Sequence, residues 1–207
     1  SYRSLRFVAR ALARERRPAI LVVPQGARPG ERDPEYLDRG PGDDWATALA
    51  EELPRAVDAR FRTIASHAGR AIAGLSVGGY GALHLALSHL GAFAAAESWS
   101  GYTHPTNPAG TRRLELGSRA RDARADVERQ LAAARRPLRN GRLFLAFYVG
   151  RSDTRFERAN VRLHRELERA RVPHVFRLYP GGHSQRLWEA HARRWLSLLL
   201  AHLAAPR

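Results

Sequence analysis

A single serine, Ser76, stands among glycines in the run GLSVGGYGAL at residues 74–83. An apolar run precedes it and a helix-forming run follows it, so we expect a sharp turn from a strand into a helix. Gly74 and Gly78 let the two arms of that turn approach closely. Such a turn exposes the hydroxyl beside the helix amino terminus and makes the serine a candidate nucleophile. The competing interpretation is a glycine-rich turn that only packs a helix on a sheet.

A serine hydroxyl needs a base to take its proton, and the base needs a carboxylate to orient it. Asp153 in YVGRSDTRF and His183 in YPGGHSQRLW each follow an apolar run, in the order serine, acid, histidine. Asp153 precedes His183 by 30 positions, which is enough for one helix and one strand. Three alternatives remain open: Asp153 only caps the following helix, Glu157 is the acid, or His183 is an ordinary loop histidine beside a Gly-Gly turn.

The other histidines show no comparable pattern. Those in predicted helices are expected on the surface or in the core, and those in loops or at strand starts have no carboxylate in the right order. The histidines in predicted helices are His84, His89, His164, His191 and His202. Those in loops or at strand starts are His67, His104 and His174. No metal-ligand spacing such as HExxH occurs, so we predict neither a metal nor another cofactor.

Five short apolar runs alternate with helical patterns, which predicts an α/β fold with a parallel sheet and crossover helices. The predicted strands are 19–26, 70–76, 93–101, 143–150 and 174–182. The predicted helices are about 5–16, 44–60, 79–90, 122–136, 155–171 and 185–204. Because the carboxyl ends of parallel strands meet at one edge, Ser76, Asp153 and His183 are expected at that edge.

Composition narrows the functional classes. The 207 residues carry a formal net charge of +15, and all 35 cationic residues are Arg. Arginines interleave with acidic residues, as at 155–171, which favours the composition of a GC-rich bacterial genome over an anionic partner. We therefore expect no nucleic-acid partner. The chain has no Cys, and its apolar run at 195–205 is shorter than the roughly 20 residues that span a bilayer.

The segments GLSVGGYGA, YVGRSD and PGGHSQRLW together resemble the esterase branch of the α/β-hydrolases, which includes esterase D, feruloyl esterases and mycolyltransferases. The resemblance extends over about 19–200. It implies an α/β-hydrolase fold, a Ser76–His183–Asp153 triad, a backbone oxyanion donor at Val77, and acyl-ester chemistry.

Two features depart from that family. Its members have a strand ending in HG before the strand that matches 19–24, whereas here only a helix-like run precedes it. We therefore expect one domain over 1–207 that is the carboxyl-terminal part of a longer protein, with the second oxyanion donor not identifiable. Family members also place an aromatic residue two positions after the histidine, whereas Trp188 comes five positions after His183.

The expected function is hydrolysis of a small-molecule or lipid ester through an acyl-enzyme on Ser76. Acyl transfer to an alcohol and a catalytically silent binding module are the alternatives. Segment 102–142 is expected to cap the site, and an extracytoplasmic or membrane-proximal location through an upstream segment is favoured. Tyr80 and Trp99 are either pocket walls or core residues. Three arginines of this segment either bind an anionic head group of the substrate or are solvated surface charges: Arg112, Arg113 and Arg119.

Overall fold

The computed structural model describes residues 5–28, 35–107 and 109–205. Four strands form one sheet in the order β1-β2-β3-β4, and each neighbouring pair is parallel. The strands are β1 (Ala71–Leu75), β2 (Ala95–Trp99), β3 (Phe144–Gly150) and β4 (His174–Tyr179). Each lies within one of the predicted strands, so four of the five predicted strands are confirmed.

Helices connect and flank these strands. They are α1 (Arg6–Leu12), α2 (Trp45–Thr47), α3 (Leu53–Arg60), α4 (Val77–Ser88), α5 (Arg119–Ala125), α6 (Val127–Ala133), α7 (Arg135–Arg139), α8 (Glu157–Arg169) and α9 (Gln185–Ala201). A π-helical turn (Ala48–Glu52) joins α2 to α3, and a short 3₁₀ turn (His67–Gly69) precedes β1.

The helices cover both faces of the sheet, as predicted for this α/β fold. Helices α4, α6 and α8 contribute apolar side chains to one core, and α1 and α9 contribute to a second core on the opposite face. Strands β2 and β3 lie between the two cores, and every residue of β2 is buried. This double coverage explains why their sequences are apolar without strict alternation.

The predicted strand at 19–26 is wrong. No backbone hydrogen bond joins this segment to the rest of the described chain. Its apolar side chains face solvent, with Ile20, Leu21 and Val22 exposed by 48%, 39% and 40%. A strand forms only against a partner edge, and β1 pairs with β2 alone. The sequence has a strand composition here, but within the described residues no neighbouring edge pairs with it.

The prediction of one continuous helix over 122–136 is also wrong, because the structure has separate helices there. Asp126 has an extended backbone that ends α5, and its Oδ1 accepts from the Arg129 N–H at 3.1 Å to begin α6. An aspartate with this geometry is a helix N-cap, so it divides the pattern into separate helices. Helix α6 then packs against α4, which carries the candidate nucleophile at its start.

Candidate active site

Ser76 occupies the turn between β1 and α4. Its backbone has φ 54° and ψ −120°, a conformation that side chains rarely adopt, and its amide donates to the Trp99 carbonyl at 2.9 Å. The chain can turn this sharply because Gly74 has no side chain: a Cβ there would overlap the backbone of Gly78. The turn leaves Ser76 half-buried at the carboxyl edge of the sheet.

Helix α4 lies close to β2 for a similar reason. A Cβ on Gly79 would come within 2.9 Å of the Gly101 Cα and within 2.7 Å of the Ser98 Oγ. Only a glycine allows this approach, so the third glycine of the run sets the distance between the helix and the strand. The glycine cluster therefore both shapes the turn and packs the helix.

The structure brings together the three side chains that the sequence singled out. Ser76 Oγ lies 2.9 Å from His183 Nε2, and His183 Nδ1 lies 2.7 Å from Asp153 Oδ2. Since a carboxylate only accepts, Nδ1 carries the proton and Nε2 is free to accept from the serine hydroxyl. Serine and histidine are 107 residues apart in the chain, so only the fold places them in contact.

Asp153 has two roles in the fold, one for each carboxylate oxygen. While Oδ2 accepts from His183, Oδ1 accepts from the Arg155 and Phe156 amides at 3.2 and 3.3 Å. These amides belong to the turn that leads into α8, whose N-cap is Phe156 and not Asp153, so the structure does not support the cap-only alternative. Asp153 is 1% exposed, whereas Glu157 lies one turn further on at the start of α8 and has no hydrogen bond to His183.

Two aromatic rings flank the imidazole of His183. Phe156 meets it at 5.2 Å between ring centroids and Trp188 at 5.0 Å, both edge-to-face. Phe156 is not among the predicted site residues, and Trp188 stands out in the sequence only by its spacing of five positions from His183. The signal in the sequence that could have identified Trp188 is its position in the first turn of the final predicted helix. Side chains in that turn lie near the loop that precedes the helix, which here carries His183.

The Val77 N–H is the first amide of α4 and has no acceptor within the described part of the chain. It lies beside Ser76 at the positive end of the helix, where backbone amides stabilise an anion. The Val77 side chain is 40% exposed. Val77 therefore lies at the protein surface beside the candidate nucleophile.

Tyr80 and Trp99 are core residues and not pocket walls. Tyr80 is fully buried and donates to the Ala125 carbonyl at 2.9 Å, and Trp99 is 2% exposed and donates to Glu97 at 3.0 Å. Their rings pack in the two cores on opposite faces of the sheet.

The segment at 102–142 contributes helices α5 to α7 and a loop that approaches the site. A Cβ on Gly110 would lie 2.6 Å from the Phe156 ring, so this loop rests on a residue that contacts His183. Arg113 pairs with Asp126 at 2.9 Å, which ties the loop to α6. Arg112 and Arg119 are exposed.

The described residues contain no group of three or more histidine or acidic side chains arranged to hold a metal ion. Among the same residues, no helix combines the length and apolar character that crossing a bilayer requires.

A parallel sheet covered on both faces, with a serine at a strand–helix turn and a histidine and an acid after later strands, defines an α/β-hydrolase. The sequence profile of the family described as "Putative esterase" matches residues 4–194. The chain belongs to this esterase family.

Two curated relatives of this chain are also named esterases. Esterase Rv1288 of Mycobacterium tuberculosis (strain ATCC 25618 / H37Rv) is 30% identical over 198 residues, a match that covers 81% of this chain and 42% of the relative. Esterase MT1326 of M. tuberculosis (strain CDC 1551 / Oshkosh) matches with the same figures. The chain thus spans less than half the length of these relatives.

Solved structures show the same fold. A ferulic acid esterase superposes with a TM-score of 0.67 at 23% identity, over 81% of this chain and 64% of that one. An S-formylglutathione hydrolase from Agrobacterium tumefaciens gives 0.63 at 22% identity, over 83% and 64%. MPT51 (FbpC1) of M. tuberculosis gives 0.57 at 20% identity, over 80% and 73%.

Proposed function

We propose that the chain hydrolyses a carboxylic ester through a covalent acyl-enzyme on Ser76. The observation that carries this proposal is the continuous hydrogen-bonded chain from Ser76 through His183 to Asp153. The names of the relatives, which include esterases and a thioester hydrolase, support ester chemistry. We place the substrate among small-molecule or lipid esters.

In the acylation step, Ser76 Oγ attacks the ester carbonyl carbon while His183 Nε2 takes the hydroxyl proton. Negative charge develops on the former carbonyl oxygen, and the Val77 N–H donates to it. Asp153 holds the imidazole in the tautomer with Nδ1 protonated and stabilises the imidazolium that forms.

The tetrahedral intermediate then collapses. The bond to the alcohol oxygen breaks, and His183 donates its proton to that leaving oxygen. In the deacylation step, water loses a proton to His183 and attacks the acyl carbon. The collapse of this second intermediate releases the carboxylic acid and returns the proton to Ser76.

The test compares two serines on the same helix. Ser76 immediately precedes α4, whereas Ser88 ends it and donates to the His84 carbonyl at 2.7 Å, away from His183. We expect Ser76→Ala to lower kcat for p-nitrophenyl butyrate by about 10³-fold or more, as removal of a triad member does. Ser88→Ala should stay within about twofold of the wild type, since surface substitutions of this kind are nearly neutral. Full activity in Ser76→Ala, or none in the wild-type chain, contradicts the proposal.

A further inference from the structure

Trp188 lies in the first turn of α9 and contacts His183 across the site. The two rings meet at an interplanar angle of 88°, with their centroids 5.0 Å apart. The indole is itself fixed, because its Nε1–H donates to Ser100 Oγ at 3.1 Å. Ser100 and Trp188 are 88 residues apart in the chain, so this hydrogen bond joins α9 to the end of β2.

Ser100 is a rigid acceptor. It is fully buried, its amide donates to the Tyr148 carbonyl at 2.7 Å, and its φ is 53°. A serine in this left-handed region is strained, and such strain persists only where surrounding contacts hold the backbone in place. The backbone contacts therefore fix the position from which this hydroxyl meets the indole, directly after the end of β2.

The loop that carries His183 is anchored through its backbone, because the Ser152 N–H donates to the Gly181 carbonyl at 2.9 Å, and Gly181 has φ 118°, which favours glycine. The orientation of the imidazole on this loop depends on side-chain contacts. Asp153 fixes one ring nitrogen. The rings of Phe156 and Trp188 pack edge-to-face against the imidazole and limit its rotation.

We infer that Trp188, locked by Ser100, is a positioning residue that holds His183 in line between Asp153 and Ser76. The inference rests on the proposed function. Misalignment by a fraction of an ångström weakens proton transfer, so the loss should fall on kcat and leave ester binding nearly unchanged.

The test is a double-mutant cycle. Trp188→Phe keeps an aromatic ring but removes the indole donor, and Ser100→Ala removes the acceptor. We expect each to lower kcat about tenfold, the order expected from one lost hydrogen bond, with KM within about twofold. The double variant should be no slower than either single variant, because both break the same interaction. Ser100→Gly removes the same hydroxyl and suits the positive φ, so it serves if Ser100→Ala folds poorly.

Trp195 provides the matched control on the same helix. Its Nε1–H donates to the Tyr179 hydroxyl at 3.2 Å, and its ring packs on Tyr148 and not on His183. Trp195→Phe therefore loses an indole hydrogen bond of the same kind and should keep its kcat.

A second readout separates this inference from the proposed function. In the proton NMR spectrum of the free enzyme, the low-field signal of the His183 Nδ1–H should broaden or shift in Trp188→Phe and persist in Trp195→Phe. An unchanged signal, an unchanged kcat, or independent effects that multiply in the double variant would overturn the inference. Failure of the wild type to hydrolyse esters would instead contradict the proposed function, whatever the NMR signal shows.

Discussion

Gly74 lies so close to the Gly78 carbonyl group that a single added carbon on Gly74 would overlap it. The reverse is not true, because a Cβ on Gly78 would have no neighbour nearer than the Tyr36 hydroxyl at 3.9 Å. The two glycines that flank Ser76 symmetrically in sequence are therefore under unequal constraint. Gly74 is needed for the turn, whereas Gly78 is not excluded by space.

This asymmetry gives the first prediction. Gly74→Ala should lower the free energy of unfolding by about 2 kcal/mol or more and lower kcat, because the Cβ must push β1 away from α4. Gly78→Ala should keep or slightly raise stability, since alanine in a helix is favoured by about 0.5–1 kcal/mol. Denaturant titration of both variants measures the difference. Equal destabilisation would contradict this account of the turn.

Asp153 should respond differently to two substitutions. Asp153→Asn keeps an oxygen for the Arg155 and Phe156 amides but then turns an NH₂ group towards His183. We expect kcat to fall by about 10³–10⁴-fold, with the unfolding free energy nearly unchanged. Asp153→Ala should also lose about 1 kcal/mol of stability, because the Arg155 and Phe156 amides lose their acceptor. Activity assays and chemical denaturation of the two variants test this, and an active Asp153→Asn would refute the assigned role.

Glu97 is predicted to destabilise the fold at neutral pH. It is fully buried on β2, and burial raises the pKa of its carboxyl well above the usual range. The folded state keeps the proton that the unfolded chain releases, so stability falls as pH rises above the unfolded-state pKa. Glu97→Gln removes this ionisation and should add about 1–3 kcal/mol at pH 7. Urea denaturation at pH 5 and pH 8 measures it; a gain that is no larger at pH 8 would contradict the prediction.

His84 should make the fold sensitive to acid. Burial within the core lowers its pKa to about 4, and its Nδ1 lies 3.0 Å from the side-chain amide nitrogen of Gln130. The unfolded chain binds a proton near pH 6.5 and the folded chain only near 4, so stability is lost as pH falls through this window, by up to ~3 kcal/mol. His84→Asn should flatten the stability profile between pH 6.5 and 4. An unchanged slope in thermal denaturation would show that other groups dominate.

The sequence predicts the central part of the sheet well. β3 is a continuous apolar run, and β2 lies in an apolar run interrupted by Glu97 and Ser98; both are covered on both faces, as such runs indicate. The same rule fails at 19–26, because composition reports the tendency to form a strand and not the presence of a partner edge. Exposed Ile20 and Val22 follow from that missing pairing.

The candidate active site, too, is predictable from the sequence only in part. The meeting of Ser76, Asp153 and His183 at one edge follows from strand order, because parallel strands end together. The support from Ser100 and Trp188 does not, since the sequence carries no signal for a positive φ at a serine or for the direction of an indole N–H. The sequence leaves a local backbone contact and a histidine contact of Asp153 as alternatives, because it does not distinguish the two oxygens of one carboxylate.

The most direct test of the account is peptide mapping by mass spectrometry after reaction with a fluorophosphonate. We predict one adduct on native protein, located on Ser76, with its formation slowed by about 10³-fold or more in His183→Ala because the base is removed. An adduct on another serine, or labelling of Ser76 at an equal rate without His183, would contradict the proposed nucleophile and its activation.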